Sequence, residues 1–256
     1  MGLMLETQGL GKRYGNFAAN TDIDFAVNEG ELRAVIGPNG AGKTTFFNVI
    51  AGTIPASAGD IRFRGKSIVA QSGTHRVQAG IAKAFQTANI YHDQTVFQNC
   101  RLAALAKVQG EFALQMFAPS TRLQTVDDYA HAALAAVELT GVELVRAGDL
   151  SHGDKKRLDI AMALATQPRV LLLDEPVAGM SLEDSQKTGR LIRKLAGGMT
   201  VLLIEHDMDM VMNISDRVTV LHQGRVLAEG TPAEIRSNSA VREAYLGGHT
   251  EQEASG

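Results

Sequence analysis

Apolar and polar residues alternate in short segments at the start of the chain, in Leu3-Met4-Leu5-Glu6 and in Thr21-Asp22-Ile23-Asp24-Phe25-Ala26-Val27, and the apolar run of residues 32–36 follows. A period of two predicts strands with one buried face. Turn signals at Gly15-Asn16 and Asn28-Glu29-Gly30 separate them, so the segments are expected to form an antiparallel sheet. Asp60-Ile61-Arg62-Phe63-Arg64 reads as a further half-buried strand, and residues 81–85 as a strand leading to Gln86. Two later runs, Val170-Leu171-Leu172-Leu173 and Val201-Leu202-Leu203-Ile204, hold no polar residue and stop at charged ones. Such runs mark central strands of a parallel sheet covered on both faces. Residues 218–221 and 225–228 flank Gln223-Gly224 as a hairpin.

Helical spacing takes over elsewhere. Phe46, Phe47, Val49 and Ile50 predict a helix after residue 42, and residues 155–166 predict another. Residues 96–150 are alanine-rich and helical in pattern, with apolar positions on most faces over 130–139, as in a lobe packed tightly against something. Pro232 opens a closing helical stretch that runs to Leu246. The predicted class is α/β: a mostly parallel central sheet, an antiparallel β subdomain, and a small α-helical subdomain inserted at about residues 87–152. One domain is expected over residues 1–246, with the small, polar residues 247–256 as a flexible tail. No internal repeat is visible.

Size and charge narrow the partners. A chain of 256 residues can bury a full core in one large domain. A formal net charge of −3, with no basic tract longer than Lys155-Lys156-Arg157, gives no field for nucleic acid. That tract reads as a solvated face or one that touches a partner. The single cysteine, Cys100, excludes an internal disulfide and reads as a small buried apolar side chain, and no Cys/His cluster suggests zinc. Met208, Val211 and Met212 form a helical stripe expected in the core. No stretch reaches the roughly 18 apolar residues of a membrane helix, and the start carries Glu6 rather than a basic-then-apolar leader. A water-soluble, cytoplasmic chain is expected.

Chemistry enters directly after the apolar run 32–36. Residues Gly37, Pro38, Asn39, Gly40, Ala41, Gly42, Lys43 and Thr44, followed by Thr45, form the Walker A pattern between a strand and a helix. Its glycines let successive N–H groups converge on phosphate oxygens, and the helix N-terminus adds positive charge. Lys43 supplies a mobile cation for the β- and γ-phosphates, and the Thr44 hydroxyl is suited to Mg²⁺. This stretch predicts ATP or GTP binding on a P-loop NTPase core. The run 170–173 ends in Asp174-Glu175, the Walker B pattern. Asp174 can hold Mg²⁺, and Glu175 can orient and deprotonate an attacking water.

Leu150-Ser151-His152-Gly153-Asp154 resembles the signature motif of ATP-binding cassette (ABC) ATPases, usually L-S-G-G-Q. Ser151 and Gly153 match that motif, while His152 and Asp154 depart from it. The β-carbon of His152 restricts the backbone, and Asp154 sets a carboxylate near a polyanion or, alternatively, complements the dipole of a helix N-terminus. Other family landmarks follow in order. Tyr14 resembles the aromatic that stacks on adenine, and Gln86 the Q-loop glutamine that reaches Mg²⁺ and the water. His206 resembles the switch histidine at the γ-phosphate, and residues 178–181 the D-loop, with Ser181 in place of the usual Asp.

The resemblance implies ATP and Mg²⁺ as ligands and a head-to-tail dimer in which each signature completes the partner's site. Glu175, His206, Gln86 and Lys43 would serve catalysis, and Thr44, Gln86 and Asp174 the metal. A cassette without membrane spans suggests the motor subunit of an importer with separate permease chains, peripheral on the inner face of the cell membrane. A solute-binding protein would be an indirect partner. Residues 80–86, 95–99, 158–161 and Ala244-Tyr245-Leu246-Gly247 look like the ATP-binding subunits of branched-chain amino acid uptake systems. The competing class is a soluble ABC protein of translation or DNA repair, or a cassette for urea or amides. Translation factors of that type usually carry two cassettes, and repair ATPases usually carry zinc modules or long coiled coils.

Overall fold

The computed structural model describes residues 2–84, 90–109 and 120–246. The alternating segments form β1 (Leu3–Tyr14) and β2 (Phe17–Asn28), paired antiparallel around the Gly15-Asn16 turn. The buried run is β3 (Leu32–Ile36), and α1 (Lys43–Ala51) follows the phosphate loop. β4 (Ala58–Phe63) adds to the free side of β1, and β5 (Lys66–Ser67) to β4, giving the order β2-β1-β4-β5. After α2 (Gly73–Ala79), β6 (Ile81–Ala84) forms one edge of a second sheet, to which β3 also belongs; Phe85 and Gln86 lie outside the described residues.

The helical lobe contains α3 (Val96–Gln109) and α4 (Ser120–Ala136). The helical pattern predicted over 96–150 does not run to its end. Val137, Glu138 and Leu139 bond back to residues 133–135 and close α4, and Glu138 (φ +60) and Gly141 (φ +87) turn the chain in left-handed conformations. The chain then returns to the start of α3, where Val96 and Phe97 donate to the carbonyls of Val145 and Glu143, before a short 3-10 turn at Ala147–Asp149.

α5 (His152–Ala165) starts three residues ahead of the predicted 155–166. The reason is local: Ser151 is its N-cap, and its hydroxyl accepts the Asp154 N–H. The basic tract is likewise not a solvated face. Lys156 is buried, and Arg157 pairs with Asp154 one turn back.

β7 (Val170–Asp174), α6 (Leu182–Ala196), β8 (Thr200–Ile204) and α7 (Met208–Ile214) lead to the hairpin β9 (Arg217–His222) and β10 (Arg225–Gly230). The second sheet has the order β10-β9-β3-β8-β7-β6, with every pair parallel except that hairpin. Its central strands β3, β7 and β8 are buried along their whole length, as apolar runs covered on both faces require. The closing stretch splits into α8 (Pro232–Ser237) and α9 (Ser239–Leu246), because Asn238 leaves the helical region and its side chain caps the Val241 N–H.

One apolar cluster joins the helical lobe to the sheet, and a second, built on Phe46, Phe47 and Ile50, fills the space beneath the antiparallel sheet. A third packs α7, α8 and α9 on β3 and β9, with Val211 and partly buried Met208 and Met212 inside it as the stripe predicts. Cys100 is buried, and burial pushes its thiol up to about 12, so it stays protonated.

Candidate functional site

β3 delivers the chain to the phosphate loop at Gly37, and the loop is held from outside itself. The Gly224 N–H at the β9–β10 turn donates to the Ala41 carbonyl (3.1 Å), and Asn20 Nδ2 on β2 donates to the Gly42 carbonyl (3.1 Å). Gly37 (φ +152) has no room for a side chain, since a β-carbon there would sit 2.1 Å from the Leu221 carbonyl oxygen. Gly37→Ala is therefore expected to destabilise the fold by roughly 3 kcal/mol through strain and overlap. Chemical denaturation measures it, and an unchanged midpoint would show that the loop root has slack.

Lys43 opens α1 and folds back over the loop, with Nζ donating to the carbonyls of Gly37 (2.8 Å) and Pro38 (3.0 Å). Burial lowers the pKa of this ammonium, and the nearby charges of Glu175 and Asp174 act against that shift. These two carboxylates stand at the end of β7, beside the loop.

Asp174 is buried to 1% side-chain exposure, and its Oδ2 accepts from Lys83 Nζ at 2.9 Å. Lys83, on β6, also donates to Asn48 Oδ1 (2.7 Å) and is itself 6% exposed. The other oxygen, Asp174 Oδ1, is buried and has no donor among the described residues. A bare, buried anionic oxygen near a phosphate loop fits a hard cation such as Mg²⁺. Lys83→Met would leave that carboxylate without its ion-pair partner and should destabilise the protein by about 3–5 kcal/mol. A melting curve equal to wild type would count against the pair.

Glu175 holds a left-handed backbone (φ +52), fixed by its N–H donating to the Ile204 carbonyl (2.9 Å). Its Oε1 lies 2.6 Å from His206 Nε2, so the two residues at the ends of β7 and β8 meet. Buried Glu205 ties the same two loops together, accepting the N–H groups of Val177 (2.9 Å) and His206 (3.0 Å). Burial raises the Glu205 pKa, and those two hydrogen bonds pull it back. Asn39, Lys43, Thr44, Glu175, His206 and Phe17 are among the residues lining a cleft of about 300 Å³.

The aromatic at this cleft is Phe17, 65% exposed, and not Tyr14, which faces it across the β1–β2 register and carries Lys12 Nζ 5.0 Å from its ring centre. Gln86 lies outside the described residues. Ser151 and Gly153 sit at the start of α5 and do not line the cleft. The Ser151 hydroxyl donates to Asp154 Oδ2 (2.8 Å) while accepting the Asp154 N–H (3.1 Å), so Asp154 supports the Ser151 cap in the first turn of the helix. Ser181 caps α6 with Asp184 in the same way, and His152 Nε2 lies 3.3 Å from the Ala178 carbonyl oxygen, which links the two segments. Lys83 and Glu205 were not picked out from the sequence. A lysine inside an apolar strand and a glutamate directly after one were the available signals.

Residues 20–178 match the ABC transporter family, and residues 225–251 match the family described as branched-chain amino acid ATP-binding cassette transporter. The high-affinity branched-chain amino acid transport ATP-binding protein BraF of Pseudomonas aeruginosa is 39% identical over 249 residues, which is 95% of this chain and 98% of that protein. The corresponding LivG protein of Escherichia coli is 36% identical over the same share of each chain. The crystal structure of the ADP conformation of an ATP-binding cassette from an ABC transporter superposes with a TM-score of 0.84 at 31% identity, covering 96% of this chain and 100% of that one. With a phosphate loop and two strand-end carboxylates at one cleft, and a match over most of its length, the chain belongs to the ABC transporter family as an ATP-binding, ATP-hydrolysing cassette.

Proposed function

We propose that this cassette drives an importer for branched-chain or other hydrophobic amino acids, working on the inner face of the cell membrane with separate permease chains and, indirectly, a solute-binding protein. The observation that carries the solute class is the match of residues 225–251 to the branched-chain family, together with relatives of that name along 95% of the chain. Among the described residues no helix is long and apolar enough to cross a membrane, which fits a motor subunit joined to other chains.

The proposed chemistry is phosphoryl transfer from ATP to water. The N–H groups of residues 39–45 and the Lys43 ammonium hold the phosphates, and Lys43 exchanges its two carbonyl partners for phosphate oxygens. Asp174, Thr44 and Gln86 would hold Mg²⁺, which supplies positive charge at the β- and γ-oxygens when bound. Glu175 takes the proton of the attacking water, and His206, already at 2.6 Å from it, orients that carboxylate and the γ-phosphate. Tyr14 or its register partner Phe17 packs on the adenine.

Ser151 and Gly153 stand outside the cleft, so a second cassette, identical or paralogous, supplies them to this site in a head-to-tail dimer. Asp154 is engaged with Ser151 and Arg157, which keeps its charge on the helix cap while the Ser151 hydroxyl turns to the partner's phosphate. ATP closes the dimer, hydrolysis reopens it, and the helical lobe passes the motion to the permease. Liposomes carrying this cassette with its permeases and binding protein should take up leucine only with ATP inside. Uptake of an unrelated solute, with none of leucine, isoleucine or valine, would reject the solute class and leave the motor role standing.

A further inference from the structure

The parallel ladder between β7 and β8 has its last rung at Asp174 and Ile204, just short of the acid and the histidine that meet in the cleft. One more backbone bond, from the Glu175 N–H to the Ile204 carbonyl (2.9 Å), carries the pairing past that rung. Beyond it the two chains are joined through a side chain. Glu205 Oε1 accepts the Val177 N–H (2.9 Å) and Oε2 accepts the His206 N–H (3.0 Å), so one carboxylate stands where further rungs would. Glu205 is 4% exposed, and a carboxylate that deep is costly to desolvate unless its oxygens are bonded.

The two amides it holds carry the reacting pair. The chain turns at Glu175, closed by the Ala178 N–H donating to the Glu175 carbonyl (3.2 Å), and the Val177 amide lies within that turn. The His206 side chain is 47% exposed, so its backbone rather than packing must place the imidazole. Moving either amide shifts Glu175 Oε1 against His206 Nε2, which stand 2.6 Å apart. We infer that Glu205 is a positioning residue of the hydrolysis site: its carboxylate sets the separation and orientation of Glu175 and His206 without itself lining the cleft. This role rests on Glu175 being the base of the proposed reaction.

Glu205→Gln keeps the side-chain length and one of the two acceptors, and Glu205→Met keeps the length and neither. A shift of about 1 Å at a catalytic group costs up to roughly 10²-fold in rate. kcat should therefore fall about tenfold in Glu205→Gln and about 100-fold in Glu205→Met. The ADP dissociation constant, measured by calorimetry on the full chain, should stay within about twofold, because Glu205 does not hold the phosphate loop or Lys43. In a Glu175→Gln background the carboxylate to be oriented is gone. Adding Glu205→Gln there should slow single-turnover hydrolysis by less than about twofold.

Wild-type kcat in both variants, or in Glu205→Gln alone where Glu205→Met does not fold, overturns the positioning role. So does ADP affinity that falls in step with kcat, the mark of general loosening, or a cost in the Glu175→Gln background as large as in wild type. If Glu175→Gln by itself releases phosphate at the wild-type rate, the assignment of the base is at fault instead.

Discussion

Glu175→Gln should slow phosphate release about 10²–10⁴-fold while ATP still binds. Glu175 is the only acid among the described residues that line the cleft, so no second carboxylate stands there to take the proton of the attacking water. Glutamine keeps the shape and can still meet His206, which leaves the contact between the ends of β7 and β8 in place. It also removes a negative charge next to a polyanion, once in each site of a dimer. Binding should therefore persist and the ATP-bound dimer should accumulate, visible as a shift to twice the mass in size-exclusion chromatography with ATP. Release of phosphate at the wild-type rate would remove Glu175 from the role of base.

The second large effect separates the two halves of the proposed site. Ser151→Arg sets a long cationic side chain at the exposed cap of α5, where the partner's γ-phosphate would lie, and Lys43→Ala removes the ammonium from the loop. Either variant alone has no intact site in a head-to-tail dimer and should be nearly inactive. In a mixed dimer, the loop of the Ser151→Arg chain meets the intact signature of the Lys43→Ala chain. Random pairing of equal amounts puts half the chains in mixed dimers with one good site of two, so about a quarter of wild-type activity should return. Full activity from either variant by itself would exclude a shared site.

Much of this was readable from local patterns. The unbroken runs at 170–173 and 201–204 became buried parallel strands, and Gly15-Asn16 became the turn of a hairpin. The phosphate loop between β3 and α1 was legible from its own glycines and lysine. Where the reading of the fold missed, a hydrogen bond outweighed the hydrophobic period. α5 begins at His152 because the Ser151 hydroxyl caps Asp154, and the helical lobe turns at Glu138 and Gly141 because left-handed residues close α4. Periodicity sees neither event, since both depend on single polar or backbone groups.

The sequence by itself determined the kinds of groups present and the strand ends that carry them: a phosphate loop after one buried strand, two carboxylates after another, a histidine after a third. Only the tertiary structure decided which of them meet. Lys83 reaches Asp174 across 91 positions of chain, Glu205 binds the Val177 N–H across 28, and Tyr245 returns from the last helix to pack on the cluster of Ala34 and Ile36. Phe17 lines the cleft and Tyr14, its partner across the β1–β2 turn, does not. Neighbours in sequence share a local period that composition reveals. Contacts between distant residues depend on how strands are ordered in a sheet, and no window along the chain contains that order.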